Sequence, residues 1–291
     1  MSISKLERIH TYSPLRYPGG KTRLLGFFRQ IIRANELRDV TYIEPYAGGA
    51  GAALGLLISG QVENIVINDF DPAISAFWRA VVGNHSSFSE MIKNIPLTVD
   101  EWQKQKTIYR SPKDHDDLDL GFATFYLNRT NRSGVLNAGP IGGQDQRGNY
   151  KIDARFNRES LLERVRLIGL YRSRIEVTSD DGVDIVSRYI REPNALIYAD
   201  PPYFVKGSSL YLNSFGDKEH RSLAACLNNE SGGNWILTYD DVPQVADFYS
   251  ERRRIKFLLN YSVHTAKKAK EVLVFSDSLV VPSSEDAWSE E

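Results

Sequence analysis

Val40-Thr-Tyr-Ile-Glu-Pro-Tyr-Ala-Gly-Gly-Ala-Gly51 is the stretch of sequence that decides the fold. Its β-branched and aromatic start predicts a short buried strand, and the glycines that follow predict a tight turn into a helix over residues 52–59. Asn64-Ile-Val-Ile67 is a second short apolar run, bounded by Asn68 and Asp69. The order strand, glycine turn, helix, strand is typical of a βαβ unit, which implies parallel strands.

The same rhythm returns late in the chain. Apolar runs at residues 175–178, 195–198, 235–238 and 272–275 predict further strands. Between them and the first βαβ unit, polar helical pieces and a glycine-rich segment indicate an inserted lobe. We therefore predict an α/β fold: a Rossmann-like core with a mostly parallel sheet, formed by residues 1–84 and 175–291, and an inserted, mainly helical lobe at 85–174. Ligands of such a sheet bind beyond the carboxyl ends of its strands.

The amino-acid composition is that of a globular protein and indicates no particular function. Hydrophobic residues make up 42% and charged residues 25% of the 291 residues, which is ordinary for a globular protein. The longest apolar stretch, residues 45–59, is shorter than the roughly 20 residues that cross a bilayer, and the first residues contain no apolar signal core. With Cys226 as the lone cysteine and five scattered histidines, we expect no disulfide, no metal and no membrane. A protein of a reducing, cytoplasmic compartment is the expectation.

Charge is distributed unevenly along the chain. The formal net charge is −1, yet residues 121–174 contain ten basic and four acidic residues, a local excess of +6. A positive surface on a nearly neutral chain suits a protein that holds phosphates with one face. A solvated helix face with alternating charge is the alternative.

The glycine loop after the first predicted strand suits a nucleotide-like ligand, because glycines let a ligand approach the backbone closely. Asp69 follows the second predicted strand, where a carboxylate can accept hydrogen bonds from ribose hydroxyls. We therefore expect an adenosine-containing ligand, although a plain strand-to-helix connection is the alternative for the loop alone. A dehydrogenase is disfavoured because Leu54 stands where the nicotinamide fingerprint needs its last glycine.

Gly20-Lys-Thr22 resembles the end of the phosphate-binding loop of nucleotide triphosphatases, but the spacing excludes that loop. Its first glycine would fall at Leu15, and no predicted strand leads into it. Lys21 is better explained as a single cation that reaches a ligand carboxylate or phosphate.

Asp200-Pro-Pro-Tyr203 follows an apolar strand and has a specific chemical use. The amino nitrogen of adenine is a poor nucleophile because its lone pair is delocalised into the ring. The Asp200 carboxylate and the Pro201 carbonyl can accept its two N–H groups and free the lone pair. Tyr203 can stack on a base rotated out of the duplex, with Phe204 assisting. A β-turn with a capping Asp is the alternative.

Together these residues resemble the Dam-type, class D12, alpha group of DNA adenine N6-methyltransferases along nearly the whole chain. The resemblance implies a Rossmann-like core that depends on S-adenosylmethionine, an inserted DNA-recognition lobe, and catalysis by Asp200, Pro201, Pro202 and Tyr203. It also implies that S-adenosylmethionine binds to Tyr17, Lys21, Glu44, Pro45, Tyr46, Gly48, Gly49, Asp69, Asp181 and Asp200.

Two further motifs extend the resemblance. Phe-Tyr-Leu-Asn-Arg-Thr-Asn-Arg-Ser-Gly, residues 125–134, is similar to the family's Asn-Arg segment, which implies DNA contacts from Arg129, Asn131 and Arg132. Asp181 is similar to the family's aspartate that binds the cofactor adenine. Asp180 stays open as the alternative, because Gly182 replaces the aromatic residue that often follows that aspartate.

The predicted function is that of a site-specific DNA adenine N6-methyltransferase, which transfers a methyl group from S-adenosylmethionine to a flipped-out adenine in duplex DNA. An RNA or protein-amide N-methyltransferase and a catalytically silent DNA-binding regulator are the alternatives. Asp200 disfavours the first alternative, whose members usually have Asn at that position. The second alternative is disfavoured because the residues for cofactor binding and catalysis are intact: Tyr17, Lys21, Asp69 and Asp200. We expect a monomer that binds double-stranded DNA, without a stable complex with any cognate restriction endonuclease. The resemblance implies the cytoplasm of a prokaryotic cell or of a phage-infected host, and a restriction-modification system, a phage and an unpaired housekeeping gene all fit.

Overall fold

The computed structural model describes residues 12–16, 21–204, 215–229, 232–261 and 267–282. The chain divides into two compact units. The sheet unit comprises Leu24–Ala47, Ser59–Asp71 and the chain from Glu176 onward. The helical unit comprises the chain up to Arg23, Gly48–Ile58 and Pro72–Ile175. The assignment of residues 85–174 to target recognition stays a prediction.

Seven strands of the described chain form one sheet, in the order β3-β2-β1-β4-β5-β7-β6. The strands are β1 (Thr41–Glu44), β2 (Asn64–Asn68), β3 (Ile175–Thr178), β4 (Ala195–Ala199), β5 (Trp235–Asp240), β6 (Arg253–Tyr261) and β7 (Lys267–Phe275). β1 pairs in parallel with β2 and β4, and β4 pairs in parallel with β5, whereas β7 is antiparallel to both β5 and β6. The predicted mostly parallel α/β core is therefore confirmed.

Helices connect most of these strands, and five of them lie between β2 and β3. They are α1 (Leu25–Ala34), α2 (Gly51–Ile58), α3 (Pro72–Gly83), α4 (His85–Asn94), α5 (Val99–Arg110), α6 (Asp117–Thr130), α7 (Arg158–Leu170), α8 (Gly182–Tyr189), α9 (Asp217–Asn229) and α10 (Pro243–Phe248). In the sheet unit, Ile43, Ile197 and Leu237 of the parallel strands are fully buried together with Ile185 of α8 and Leu223 of α9. No helix in the described ranges is both long and apolar enough to cross a membrane.

Aromatic rings form much of the core of the helical unit. Phe77 of α3 stacks on Phe125 of α6 with ring centroids 6.2 Å apart. Phe88 of α4 packs edge-on against both Phe122 and Phe125, each at 5.3 Å. Rings in these geometries stabilise a core beyond the area they bury. α6 begins where the Asp116 carboxylate accepts the backbone N–H of Asp119 at 2.9 Å, a typical N-cap.

β6 was not predicted from the sequence. It lies at the edge of the sheet and pairs only with β7 along the described chain. Arg253, Arg254 and Lys256 interrupt the apolar pattern that marked the other strands. Charged residues are frequent on edge strands because the outer side of such a strand faces water.

Close packing of α3 on α6 depends on Gly121. A β-carbon at this position would lie 2.6 Å from the carbonyl oxygen of Ala76 and 2.8 Å from Cα of Phe77. Both atoms belong to the backbone, so Gly121→Ala requires the helices to separate. We expect it to lower the free energy of unfolding by about 1–3 kcal/mol, measured by chemical denaturation. Gly83→Ala is the matched control, because a β-carbon at Gly83 meets nothing within 4 Å. Equal stability of both variants would contradict this packing.

Candidate active site

Polar residues gather where the strands of the sheet unit end. β1 ends at Glu44, β2 at Asn68 directly before Asp69, and β5 at Asp240. Asp200 follows the last residue of β4. Because β2, β1, β4 and β5 run in the same direction, these residues lie at one edge of the sheet, where ligands of doubly wound folds bind.

Two hydrogen bonds hold the Asp200 to Tyr203 segment in place, one within it and one from the residue that follows it. The Tyr203 hydroxyl donates to Oδ1 of Asp200 at 3.1 Å. The backbone N–H of Phe204 donates to Oδ1 of Asp240 at 3.2 Å. Asp240 is itself buried, so its carboxylate fixes the course of the chain after the tetrapeptide.

Phe204 and His220 form a stacked pair beside the tetrapeptide. Their ring centroids are 3.7 Å apart with 15° between the ring planes, so one face of Phe204 is covered. Nδ1 of His220 lies 2.7 Å from the Tyr239 hydroxyl. Burial lowers the pKa of His220, which keeps its ring neutral near pH 7. Tyr203 is thus the better candidate of the two aromatics for stacking on a base.

The loop after β2 carries Asp69 and an exposed aromatic ring. Oδ1 of Asp69 accepts the backbone N–H of Asp71 at 3.0 Å, which sets the turn between them. Phe70 is 57% exposed, the kind of apolar surface that a flat ligand covers. Glu44 at the end of β1 is buried.

Asp180 and Asp181 follow β3 and differ in what they contact. Asp180 forms an ion pair with Arg188 at 2.9 Å. Asp181 caps α8, where its Oδ1 accepts the backbone N–H of Val183 at 2.8 Å. The geometry thus gives Asp180 a salt-bridge partner and leaves Asp181 at the start of a helix.

Gly182 departs from the pattern in which an aromatic residue follows this aspartate, and its surroundings give the reason. A β-carbon at Gly182 would lie 2.3 Å from the ring of Tyr46, which comes from the loop after β1. Tyr46 therefore occupies the space that a side chain at position 182 would need. Burial raises the pKa of Tyr46 well above its usual value.

Three other predicted cofactor residues belong to the helical unit. Lys21 is buried and begins a 3₁₀ turn, and the Gly48 carbonyl accepts the indole N–H of Trp78 at 2.9 Å. Gly49 lies next to it in the turn that leads into α2. Tyr17 lies outside the described residues.

The helical unit contains an arginine cluster, formed by Arg16, Arg129 and Arg164. Arg129 is only 8% exposed, and its Nε has no hydrogen-bond partner among the described residues. Burial, then the charges of Arg164 and Arg16, lowers the pKa of Arg129 to about 9, which leaves it protonated at neutral pH. Burial also lowers the pKa values of Arg164 and Arg16. Within the described ranges, none of the three forms an ion pair with a carboxylate.

The two asparagines of the Asn-Arg segment hold this region together. Asn128 accepts the backbone N–H of Arg16 at 2.7 Å and donates to the Arg16 carbonyl at 2.8 Å, which brings Arg16 to Arg129. Asn131 is fully buried: its Oδ1 accepts the Trp102 indole N–H at 2.6 Å, and its Nδ2 donates to the carbonyls of Val135 and Leu136. The DNA contact by Asn131 stays a prediction that this geometry disfavours, because the buried amide donates both of its N–H groups and accepts the Trp102 indole N–H inside the unit. Arg132, by contrast, is exposed.

Phe70, His220 and Asp240 were not predicted from the sequence. A signal for Asp240 exists, because Trp235-Ile-Leu-Thr-Tyr-Asp240 repeats the pattern of an apolar strand that ends in aspartate. His220 carried no comparable signal, since its role depends on a ring contact with a residue from another element. Phe70 could have been noted as an aromatic residue between two aspartates.

A parallel-sheet core with acidic residues at its strand ends, and Asp-Pro-Pro-Tyr after β4, defines a Rossmann-like methyltransferase. The sequence model of the D12 class N6 adenine-specific DNA methyltransferases matches residues 17–268, and the chain belongs to this family. The predicted family and enzyme class are therefore confirmed.

Comparison with solved structures gives a similar chain in the rRNA methyltransferase aviRa from Streptomyces viridochromogenes. The two chains share 14% sequence identity, and the match covers 90% of this chain and 87% of the other, with a TM-score of 0.38. None of the curated proteins matches the chain.

The buried charge of Arg129 leads to a prediction on stability. Arg129→Met removes a buried cation that has no carboxylate partner among the described residues, and it keeps an unbranched, flexible side chain. We expect the free energy of unfolding to stay unchanged or to rise by about 1–2 kcal/mol, measured by chemical denaturation. Arg132→Met is the control, since a change at an exposed side chain alters stability by less than about 0.5 kcal/mol. A marked loss of stability in Arg129→Met alone would mean that the charge is satisfied within the fold.

Proposed function

We propose that this protein is a site-specific methyltransferase that moves a methyl group from S-adenosylmethionine to N6 of an adenine rotated out of duplex DNA. One observation carries the proposal. Asp200 follows β4 at the sheet edge that also carries Glu44 at the end of β1 and Asp69 after β2. An acceptor for an amino group and acceptors for an adenosyl group are thereby brought to one edge.

The side chains at this edge fit the chemistry of S-adenosylmethionine. Asp69 offers a carboxylate for ribose hydroxyls, Asp181 offers one for the adenine amino group, and Phe70 offers an exposed apolar ring for the adenine face. Glu44, Pro45 and Tyr46 form the loop beside them, and Gly48, Gly49, Tyr17 and Lys21 complete the proposed set. When bound, S-adenosylmethionine supplies a methyl group on an electrophilic sulfonium.

The tetrapeptide prepares the acceptor nitrogen. Asp200 and the carbonyl of Pro201 accept the two N–H groups of adenine, which holds the lone pair of N6 out of the ring system. Pro202 has no N–H that could compete for these acceptors. Tyr203 covers the base, and its hydroxyl keeps Asp200 in place. The nitrogen would gain the methyl group as the carbon–sulfur bond breaks, with its electron pair staying on sulfur, and the surplus proton of the nitrogen would pass through the Asp200 carboxylate to water.

The arginine cluster supports the DNA part of the proposal. A guanidinium pairs well with a phosphate, and a phosphate at Arg129 would supply the negative charge that the described fold does not provide. We propose that Arg16, Arg129 and Arg164 hold one backbone phosphate and that exposed Arg132 makes a further DNA contact. Asn131 would then act by shaping the turn that carries Arg132, within a recognition lobe at residues 85–174.

Asp200→Ala tests the proposed chemistry. Methyl transfer from labelled S-adenosylmethionine is measured with unmethylated duplex DNA, RNA and protein as acceptors. We expect N6-methyladenine in DNA alone, and a loss of about 100- to 1,000-fold or more in the variant, because preorganised acceptors contribute on that scale.

Asp241→Ala is the matched control for that variant, because Asp241 makes a surface ion pair with Lys256 at 2.9 Å and lies one residue after β5. Such pairs contribute little to stability, so its activity should stay near that of the unchanged protein. Label found only in RNA or protein would refute the DNA acceptor, and full activity of a folded Asp200→Ala would refute the role of Asp200.

Salt dependence tests the arginine contacts. For both Arg129→Met and Arg132→Met we expect weaker DNA binding, and the slope of log K against log salt should become shallower by about one unit per lost phosphate contact. Affinity is measured by fluorescence anisotropy across a salt series with one duplex. Slopes that match that of the unchanged protein would argue against phosphate contacts.

We propose a cytoplasmic monomer that acts on double-stranded DNA, without a metal and without a stable complex with a restriction endonuclease. Sequencing the DNA of a host that lacks adenine methylation, after expression of this chain, gives the product and the recognition site together.

A further inference from the structure

Asn68, the last residue of β2, is fully buried and uses its whole side-chain amide. Its Nδ2 donates to the Pro45 carbonyl at 2.7 Å and to the Asp180 carbonyl at 3.0 Å. Its Oδ1 accepts the Thr178 hydroxyl at 2.8 Å and the Asp180 backbone N–H at 2.9 Å. Two donated and two accepted bonds are all that a primary amide can form.

The partners of Asn68 lie on both sides of its strand. Pro45 belongs to the loop after β1, whereas Thr178 and Asp180 lie at the end of β3 and in the loop after it. β2 stands between β1 and β3 in the sheet. The Asn68 side chain therefore joins the ends of three neighbouring strands. In addition, the backbone carbonyl of Asn68 accepts the backbone N–H of Ala47 at 2.9 Å.

Other side chains of similar size cannot make the same set of bonds. Aspartate has no donor at neutral pH and would place a negative charge against the Pro45 and Asp180 carbonyls. Serine and alanine are too short to reach both loops. Glutamine adds a methylene group to a side chain that has no exposed surface. The geometry thus requires asparagine for bonding to both neighbours at once.

We propose that Asn68 is a positioning residue for the cofactor site, which it builds by fixing the loops that carry Tyr46, Asp69 and Asp181 at set distances from one another. This inference rests on the proposed function, since those residues are its cofactor ligands. Asn68 itself contacts no ligand in this proposal. Its loss should therefore weaken binding of the cofactor and of its product alike, and leave the chemical step at saturation nearly unchanged.

A general role in stability is the competing explanation, and Asn35 provides the matched control. Asn35 donates to the carbonyls of Ile31 and Val280, both at 2.8 Å, and accepts the Val280 backbone N–H at 2.7 Å. It belongs to the same sheet unit and also joins separate parts of the chain. None of its partners is a proposed cofactor ligand.

The experiment compares Asn68→Ala, Asn68→Asp and Asn35→Ala in the full chain. Calorimetry gives the Kd of S-adenosylhomocysteine, steady-state kinetics give KM for S-adenosylmethionine and kcat, and thermal unfolding gives Tm. For both Asn68 variants we expect Kd and KM to rise about tenfold or more, which corresponds to roughly 1.4 kcal/mol, with kcat nearly unchanged. Asn35→Ala should keep Kd within a factor of about two.

Hydrogen exchange provides a readout that does not depend on the ligand. In the Asn68 variants the amide of Asp180 should exchange faster, while amides within β4 and β5 keep their protection. Thr178→Val is a milder variant that deletes only one of the four bonds and preserves shape; it should raise Kd by a smaller factor than Asn68→Ala. This keeps the inference testable if Asn68→Ala fails to fold.

Failure of the Asn68 role and failure of the proposed cofactor site give different results. Unchanged Kd in folded Asn68 variants, or an equal rise in Asn35→Ala at matched loss of Tm, would overturn the role of Asn68 alone. Absence of any S-adenosylhomocysteine binding by the unchanged protein would overturn the proposed cofactor site and the inference with it.

Discussion

Hydrogen bonding between parallel strands is the constraint on which the rest of the structure depends. It holds β2, β1, β4 and β5 in one direction, so that residues far apart in the sequence come to one edge of the sheet. β1, β2 and β5 are mainly apolar inside the sheet, and each ends in a polar residue that is still buried: Glu44, Asn68 and Asp240. Because a buried polar group needs a hydrogen-bond partner, these residues set the structure of the loops that follow the strands.

In the helical unit, a buried group of positive charges lowers stability, and the fold nevertheless holds it in place. Burial of Arg129 beside Arg16 and Arg164 opposes folding, because a cation loses water without gaining a carboxylate among the described residues. Asn128 nevertheless holds the backbone of Arg16 in this arrangement with two hydrogen bonds. The phosphate proposed at this cluster would supply the negative charge that the described residues lack, and DNA is the substrate named for the family.

Much of the fold was predictable because burial leaves a periodic signal in the sequence. The parallel strands were recognisable as apolar runs, and Asp200-Pro-Pro-Tyr203 was recognisable because its chemistry lies within four consecutive residues. β6 was not predicted because its charged residues interrupt the apolar pattern by which a strand is recognised, although the strand pairs with β7. Burial of Asn131, the hydrogen bonds of Asn68 and the ring contact of His220 could not be predicted, since each depends on residues from other elements.

The contact between Gly182 and Tyr46 bears on how relatives of this chain can diverge. The two positions share one volume, and the Tyr46 ring fills it from the loop after β1. A large residue at position 182 is compatible with the fold only when position 46 is small, so neither can change size by itself. During evolution the two positions should therefore change together, with paired substitutions that move the aromatic ring between the loop after β1 and the loop after β3.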